Sequence, residues 1–169
     1  IRIATNNLEV KDGANISATS YGQGDAGSII ITAKDILLDG GSHFTAYISA
    51  NARGSGNAGD INIGTNTLEM RGGAQIQAVT TAEGQGGSVR INAADQVILS
   101  GIPGGVPGGN QGGNYNTGVL SSAYGSGSAG NIQVTAGNLQ INDESYIASG
   151  TSGSGEEHTS ELQSHLNSV

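Results

Sequence analysis

Four groups of residues in this chain have types and spacings that could do chemistry. Gly22-Gln23-Gly24-Asp25-Ala26-Gly27 has the G-x-G-x-x-G spacing of a dinucleotide site, and the segments 54–59 and 125–130 repeat it. In a true site the glycines follow a strand and open a helix, so that backbone amides face a pyrophosphate. Here each copy leads into a short β-branched run, so the copies read as turns. The same glycines, with Asp25 and Asp60, are reminiscent of calcium-binding nonapeptide repeats. Those need Gly-Gly-x-Gly-x-Asp in close tandem, and the period here is about three times too long. No cofactor or metal site is therefore expected.

The second group is acidic. Glu9 and Glu69, with Asp12, Asp39 and Arg71 nearby in the pattern, are the candidates for polysaccharide cleavage, which needs two or three carboxylates converging on one face. Glu9 and Glu69 fall two repeats apart, about 10 Å at the strand spacing, with Leu37 between them. They read as solvated turn charge, and the chain has no Trp to stack on a sugar. Third, a Ser–His–acid set would have to centre on His43, since the other two histidines lie in the divergent tail. Fourth come the aromatics. Phe44, Tyr47 and Tyr115 lie in or beside two irregular segments, while Tyr21, Tyr124 and Tyr146 lie at or beyond short strands. Phe44, Tyr47, Tyr115 and Tyr124 are the candidate surface contacts, because exposed rings and loop excursions on a rigid scaffold are common contact material. Thr19, Thr80 and Thr151 do not fill every repeat, as an ice-binding ladder would require.

The elements that position these groups are set by an internal repeat. Gly27-Ser28-Ile29-Ile30-Ile31, Gly59-Asp60-Ile61-Asn62-Ile63, Gly87-Ser88-Val89-Arg90-Ile91 and Gly130-Asn131-Ile132-Gln133-Val134 share one pattern. A second alternating run follows (Ile36-Leu37-Leu38, Leu68-Glu69-Met70, Val97-Ile98-Leu99, Leu139-Gln140-Ile141), then a third (Ile48-Ser49-Ala50, Ile76-Gln77-Ala78, Ile147-Ala148-Ser149). The chain start fits the frame with Ile1-Arg2-Ile3, Leu8-Glu9-Val10 and Ile16-Ser17-Ala18. Alternation of period two places one side chain inward and the next outward. Three short strands cannot hide their apolar face alone, so successive copies must stack. The expected fold is all-β: a right-handed parallel β-helix of about five coils, three short strands each.

The lead glycines are 59−27=32, 87−59=28 and 130−87=43 residues apart. With 28 as the bare unit, two coils carry inserts of 4 and 15 residues, around Ser42-His43-Phe44-Thr45 and from Ile102 to Thr117. Both fall between the second and third runs and should leave the same corner. Ile3, Ile31, Ile63, Ile91 and Val134 should form an inward column, and Asn7, Asp35, Thr67, Asp95 and Asn138 a turn column.

Composition fits a narrow core of Ile, Val, Leu and Ala: the chain has 30 Gly, one Phe and no Cys. Residues 1–155 carry 11 acids against 6 bases, a net −5, and the whole chain −8. That balance opposes binding to nucleic acid or anionic lipid. No apolar run approaches the roughly 20 residues of a membrane span, so no membrane insertion is expected. The chain enters mid-pattern without a cap, and its ends are expected to be open edges prone to stack or aggregate.

The units Gly54-Ser55-Gly56-Asn57-Ala58-Gly59-Asp60-Ile61 and Gly72-Gly73-Ala74-Gln75-Ile76-Gln77-Ala78 resemble repeats of filamentous-haemagglutinin-like exoproteins of two-partner secretion systems. The resemblance covers about residues 1–155 and lacks the amino-terminal secretion domain. It implies a non-enzymatic shaft, secreted or displayed at the surface of a Gram-negative-type bacterium. It also implies export through an outer-membrane transporter, and adhesion to host-cell or matrix glycans or proteins, or service as a spacer. A carbohydrate-active β-helix of the polysaccharide lyase or glycosidase kind is the alternative.

After Gly155 the pattern stops. Glu156-Glu157-His158-Thr159-Ser160-Glu161-Leu162-Gln163-Ser164 resembles the translation of a common short-read sequencing adapter; otherwise residues 156–169 read as a short capping helix with Leu162 and Leu166 four apart. No function is assigned to His158 or His165.

Overall fold

A computed structural model describes residues 1–41, 44–102 and 116–152. Alternation decides which side chains turn inward, and the described residues form ten strands and no helix. The chain is a parallel β-solenoid. Strands β1 (Arg2–Lys11), β3 (Ile29–Asp39), β5 (Ile61–Arg71), β7 (Val89–Ser100) and β9 (Ile132–Asn142) stack in that order into one sheet. Strands β2 (Asn15–Ser17), β4 (Tyr47–Ser49), β6 (Gln75–Thr80), β8 (Gly118–Ala123) and β10 (Tyr146–Thr151) stack into the other. Every pairing is parallel and joins one rung to the next, giving five rungs and about four full turns.

The expected registers hold. Ile3, Ile31, Ile63, Ile91 and Val134 are successive partners in one column. Ile16, Ile48, Ile76, Val119 and Ile147 form the corresponding column of the second sheet. These columns belong to one continuous apolar core, in which Ile31, Leu38, Ile48, Ile61, Leu68, Met70 and Ile76 are fully buried.

Three features differ from the sequence expectation. The first and second runs are not separate strands; they join into one strand of 10 to 12 residues. In β3 the inward residues are Ile29, Ile31, Ala33, then Ile36 and Leu38, so the alternation loses one beat between Ala33 and Ile36. Two consecutive residues, Lys34 and Asp35, face away from the core there; pairing to β5 stops at Thr32 and resumes at Asp35 in the same register. Secondly, Asp95 does not occupy the turn column. The partners run Asn7, Asp35, Thr67, Gln96, Asn138, because β7 carries one more residue than β5 and bulges between Ala93 and Gln96. Thirdly, the 15-residue excess of that coil is divided. From Ser100 to Gly118 is 18 residues against 4 from Arg71 to Gln75, so 14 sit at the corner and one in the bulge.

Candidate functional site

The Gly-rich segments close each coil between the second sheet and the next rung of the first. Their glycines are dictated by contact with the coil below. A Cβ on Gly56 would stand 2.3 Å from the Gly24 carbonyl oxygen, one on Gly84 2.0 Å from that of Gly56, and one on Gly127 1.9 Å from that of Gly84. No side chain fits in such a stack, so the three fingerprint-like copies are a backbone-on-backbone ladder.

Asp25 and Asp60 serve the same stack. Asp25 Oδ1 accepts from the Asn57 amide at 2.7 Å, Asn57 Oδ1 from the Gln85 amide at 2.8 Å, and Asp60 Oδ1 from the Ser88 amide at 2.8 Å. Each side chain satisfies an amide of the following coil that the turn leaves unpaired. Among the described residues, no three His, Cys, Asp or Glu groups are placed to hold a metal ion.

The acidic group lies along the outer face and end of the first sheet. Glu9, Leu37 and Glu69 share a column. Glu9 pairs with Lys11 at 2.5 Å, and Arg71 bridges Glu69 at 2.5 Å and Asp39 at 2.8 Å. Partial burial pushes the Asp39 carboxyl up, but the Gly41 amide at 2.9 Å and the Arg71 guanidinium outweigh it and hold the carboxyl below its ordinary value. The hydrogen bond to Asp39 in turn raises Arg71. Glu9, Glu69 and Asp39 each pair with a cation within or between rungs, while Asp12, the fourth acid of the group, sits in a positive-φ turn position.

Both inserts leave the corner between β-strand ends where the other coils make a tight turn, as their placement in sequence required. Asp12-Gly13, Gly72-Gly73 and Asp143-Glu144 all have positive φ at both central positions. Each turn is closed by a bond to the residue three back, Ala14 to Lys11, Ala74 to Arg71 and Ser145 to Asn142. This is the two-residue mirror-image turn, for which Gly, Asn and Asp are suited.

At the root of the long insert, Thr117 Oγ1 accepts from the Gly73 amide at 3.1 Å and donates to the Ser100 carbonyl at 2.7 Å, while Asn116 Oδ1 accepts from the Ile102 amide at 3.0 Å. A chain of amides continues across the second sheet: Asn51 donates to Gln77, Gln77 to Gln75, and Gln75 to the Asn116 carbonyl and Tyr146 hydroxyl. Gln75 is 1 % exposed although it precedes the inward-facing Ile76 on the same strand. Sequence reasoning missed Gln75, Asn116 and Thr117, and it missed β8 itself. Counting back 12 residues from Gly130 to Gly118, the same interval as from Gly87 to Gln75, would have found that strand.

The candidate contact residues do not form one patch. Phe44 is 66 % exposed and lies over Gly13, whose added Cβ would be 3.1 Å from the Phe44 Cβ. Tyr47 is half-buried at the start of β4, with Asn15 and Gln75 as its neighbours in the column. Tyr124 lies at the far end of the second sheet. Ser20, Ala52, Thr80 and Ala123 are successive partners, so Tyr21, Arg53, Thr81 and Tyr124 follow one another on adjacent rungs. Tyr21 is 76 % and Tyr124 42 % exposed, and the Arg53 guanidinium carbon is 5.5 Å from the centre of the Tyr21 ring. Tyr115, His43 and the adapter-like segment 156–164 lie outside the described residues.

No protein-family model, curated protein or solved structure matches the chain. Among the described residues, no helix is long and apolar enough to cross a membrane.

Proposed function

We propose that the chain is a shaft segment of a secreted or surface-displayed adhesin, a rigid β-solenoid that carries contact residues at its corners and does no chemistry. The observation that carries this reading is the rung-to-rung stacking, in which Asp25, Asp39 and Asp60 bond the neighbouring coil. Carboxylates committed to holding rungs together serve a scaffold. The solvent-facing column Tyr21, Arg53, Thr81 and Tyr124, together with Phe44, is the proposed contact surface, because rings and a guanidinium on a fixed ladder present area with no backbone left to order. The expected partners are glycans or proteins of a host cell or matrix, with export through an outer-membrane transporter.

The test incubates the purified chain with pectins, alginate and glycosaminoglycans and with cultured cells, reading product release and retention in parallel. Retention without product, reduced in Tyr21→Ala and Tyr124→Ala, is the expected result. Release of oligosaccharide would overturn the proposal in favour of a carbohydrate-active enzyme, and absence of retention on every surface would reduce the chain to a spacer.

A further inference from the structure

Asp precedes Gly at two of its seven positions, Asp12-Gly13 and Asp39-Gly40, and no Asn precedes Gly. At such a pair the Gly amide nitrogen can attack the side-chain carbonyl carbon, because no Cβ on the Gly shields that nitrogen. The two pairs lie at the same corner on neighbouring rungs, since Lys11 is the ladder partner of Asp39. Their surroundings differ. Asp39 Oδ1 accepts from the Gly41 amide at 2.9 Å and Oδ2 from Arg71 Nε at 2.8 Å, and the Gly40 amide donates to the Arg71 carbonyl at 3.1 Å. Nitrogen and carboxylate are both engaged there, and the carboxyl, held below its ordinary value, stays ionised, the form least open to attack.

Asp12 is free of such bonds. Its φ is +51° and that of Gly13 +82°, in the mirror-image turn closed by Ala14 to Lys11. Among the described residues, nothing accepts from the Gly13 amide and nothing pairs with the Asp12 carboxylate. Gly73, the counterpart of Gly13 two rungs on, donates to Thr117 Oγ1 of the rung above it. Above Gly13 stands Phe44 instead, whose side chain offers no acceptor. Both differences arise from the turn itself and from the rung that follows it.

We propose that Asp12 is a self-modification site, at which the Gly13 nitrogen closes a ring and converts the residue to isoaspartate. The nitrogen bonds to Cγ of the protonated carboxyl, and the carboxyl hydroxyl leaves with the amide proton as water, giving a succinimide. Water then adds at one of the two ring carbonyls and the ring opens. Opening at the main-chain carbonyl of Asp12 leaves the chain running through Cβ and Cγ, whereas opening at Cγ restores aspartate. Water is the only co-reactant. The isoaspartyl form carries one more backbone carbon in a two-residue turn beneath Phe44. The site is independent of the adhesin reading.

The test ages the full 169-residue chain at physiological temperature, folded in buffer and unfolded in guanidinium chloride. Isoaspartate is read by methyl transfer from labelled S-adenosylmethionine with an isoaspartyl methyltransferase, and located by peptide mapping. Unfolded, Asp12 and Asp39 should isomerise at similar rates, because Gly follows each. Folded, Asp12 should lead Asp39 by about tenfold or more, since the bonds around Asp39 and Gly40 must break first. Asp12→Glu, which cannot close the five-membered ring, should remove most of the label from the folded chain. Equal folded rates at the two sites, no isoaspartate at Asp12 in the folded chain, or label that survives Asp12→Glu would each overturn the proposal.

Discussion

Arg71 Nε donates to Asp39 Oδ2 at 2.8 Å across one rung, and the same guanidinium reaches Glu69 on its own strand. The pair is half in water, with side-chain exposures of 46 % and 23 %, so its worth is that of a surface ion pair. The carboxyl is held below its ordinary value, so its contribution is present at neutral pH and is lost as pH falls through the folded-state value. Asp39→Asn is expected to cost about 0.5–1 kcal/mol at neutral pH and less at an acid pH, where the carboxyl is more protonated. Urea unfolding at the two pH values checks this, and an equal cost at both would remove the charge from the explanation.

The glycine ladder makes a prediction with its own control. A Cβ on Gly59 would stand 2.2 Å from the Gly27 carbonyl oxygen, whereas one on Gly22 or Gly24, in the first coil, meets nothing within 4 Å. Gly59→Ala should destabilise by about 1–3 kcal/mol or more, since backbone must move. Gly22→Ala should change stability by no more than about 0.5 kcal/mol. Thermal melts of the two variants compare them directly.

Thr117 is fully buried, and its hydroxyl serves the Gly73 amide and the Ser100 carbonyl at once. Thr117→Val keeps the shape and strands both groups, for an expected cost of about 1–3 kcal/mol. Thr117→Ser keeps the hydroxyl and should recover most of it. Amide exchange at Gly73 offers a second readout, accelerated in the Val variant alone.

In the middle of the stack, Ile63 is 2 % exposed between Ile31 and Ile91. Ile63→Ala should cost about 2–5 kcal/mol, because rungs fixed on both sides cannot collapse into the space. Val134, at the end of the same column, is half-buried, and Val134→Ala should cost less than half as much in the same denaturant titration.

The amino-acid sequence by itself determined the repeat, the inward residues and most of the register. The reason is periodicity: with side chains alternating, a slip of one residue would turn Ile31, Ile63 and Ile91 out to solvent, so the pattern admits one alignment. It also determined the corner from which both inserts leave, because a solenoid absorbs extra residues only at turns. Tertiary structure decided what depends on contacts between rungs. The sequence offers two runs, Ile29-Ile30-Ile31 and Ile36-Leu37-Leu38; the parallel pairing of both runs with the neighbouring coils, in one register, carries them as a single strand across Lys34. By type Asp95 is the better turn residue, yet the bulge in β7 places Gln96 in the column. Asp25 has the chemistry of a metal ligand in isolation, yet the Asn57 amide 32 residues away claims its oxygen. The burial of Gln75 depends likewise on Asn116, 41 residues away. Local pattern fixes which way a side chain faces; what it then meets is set by a coil whose sequence lies a full turn distant.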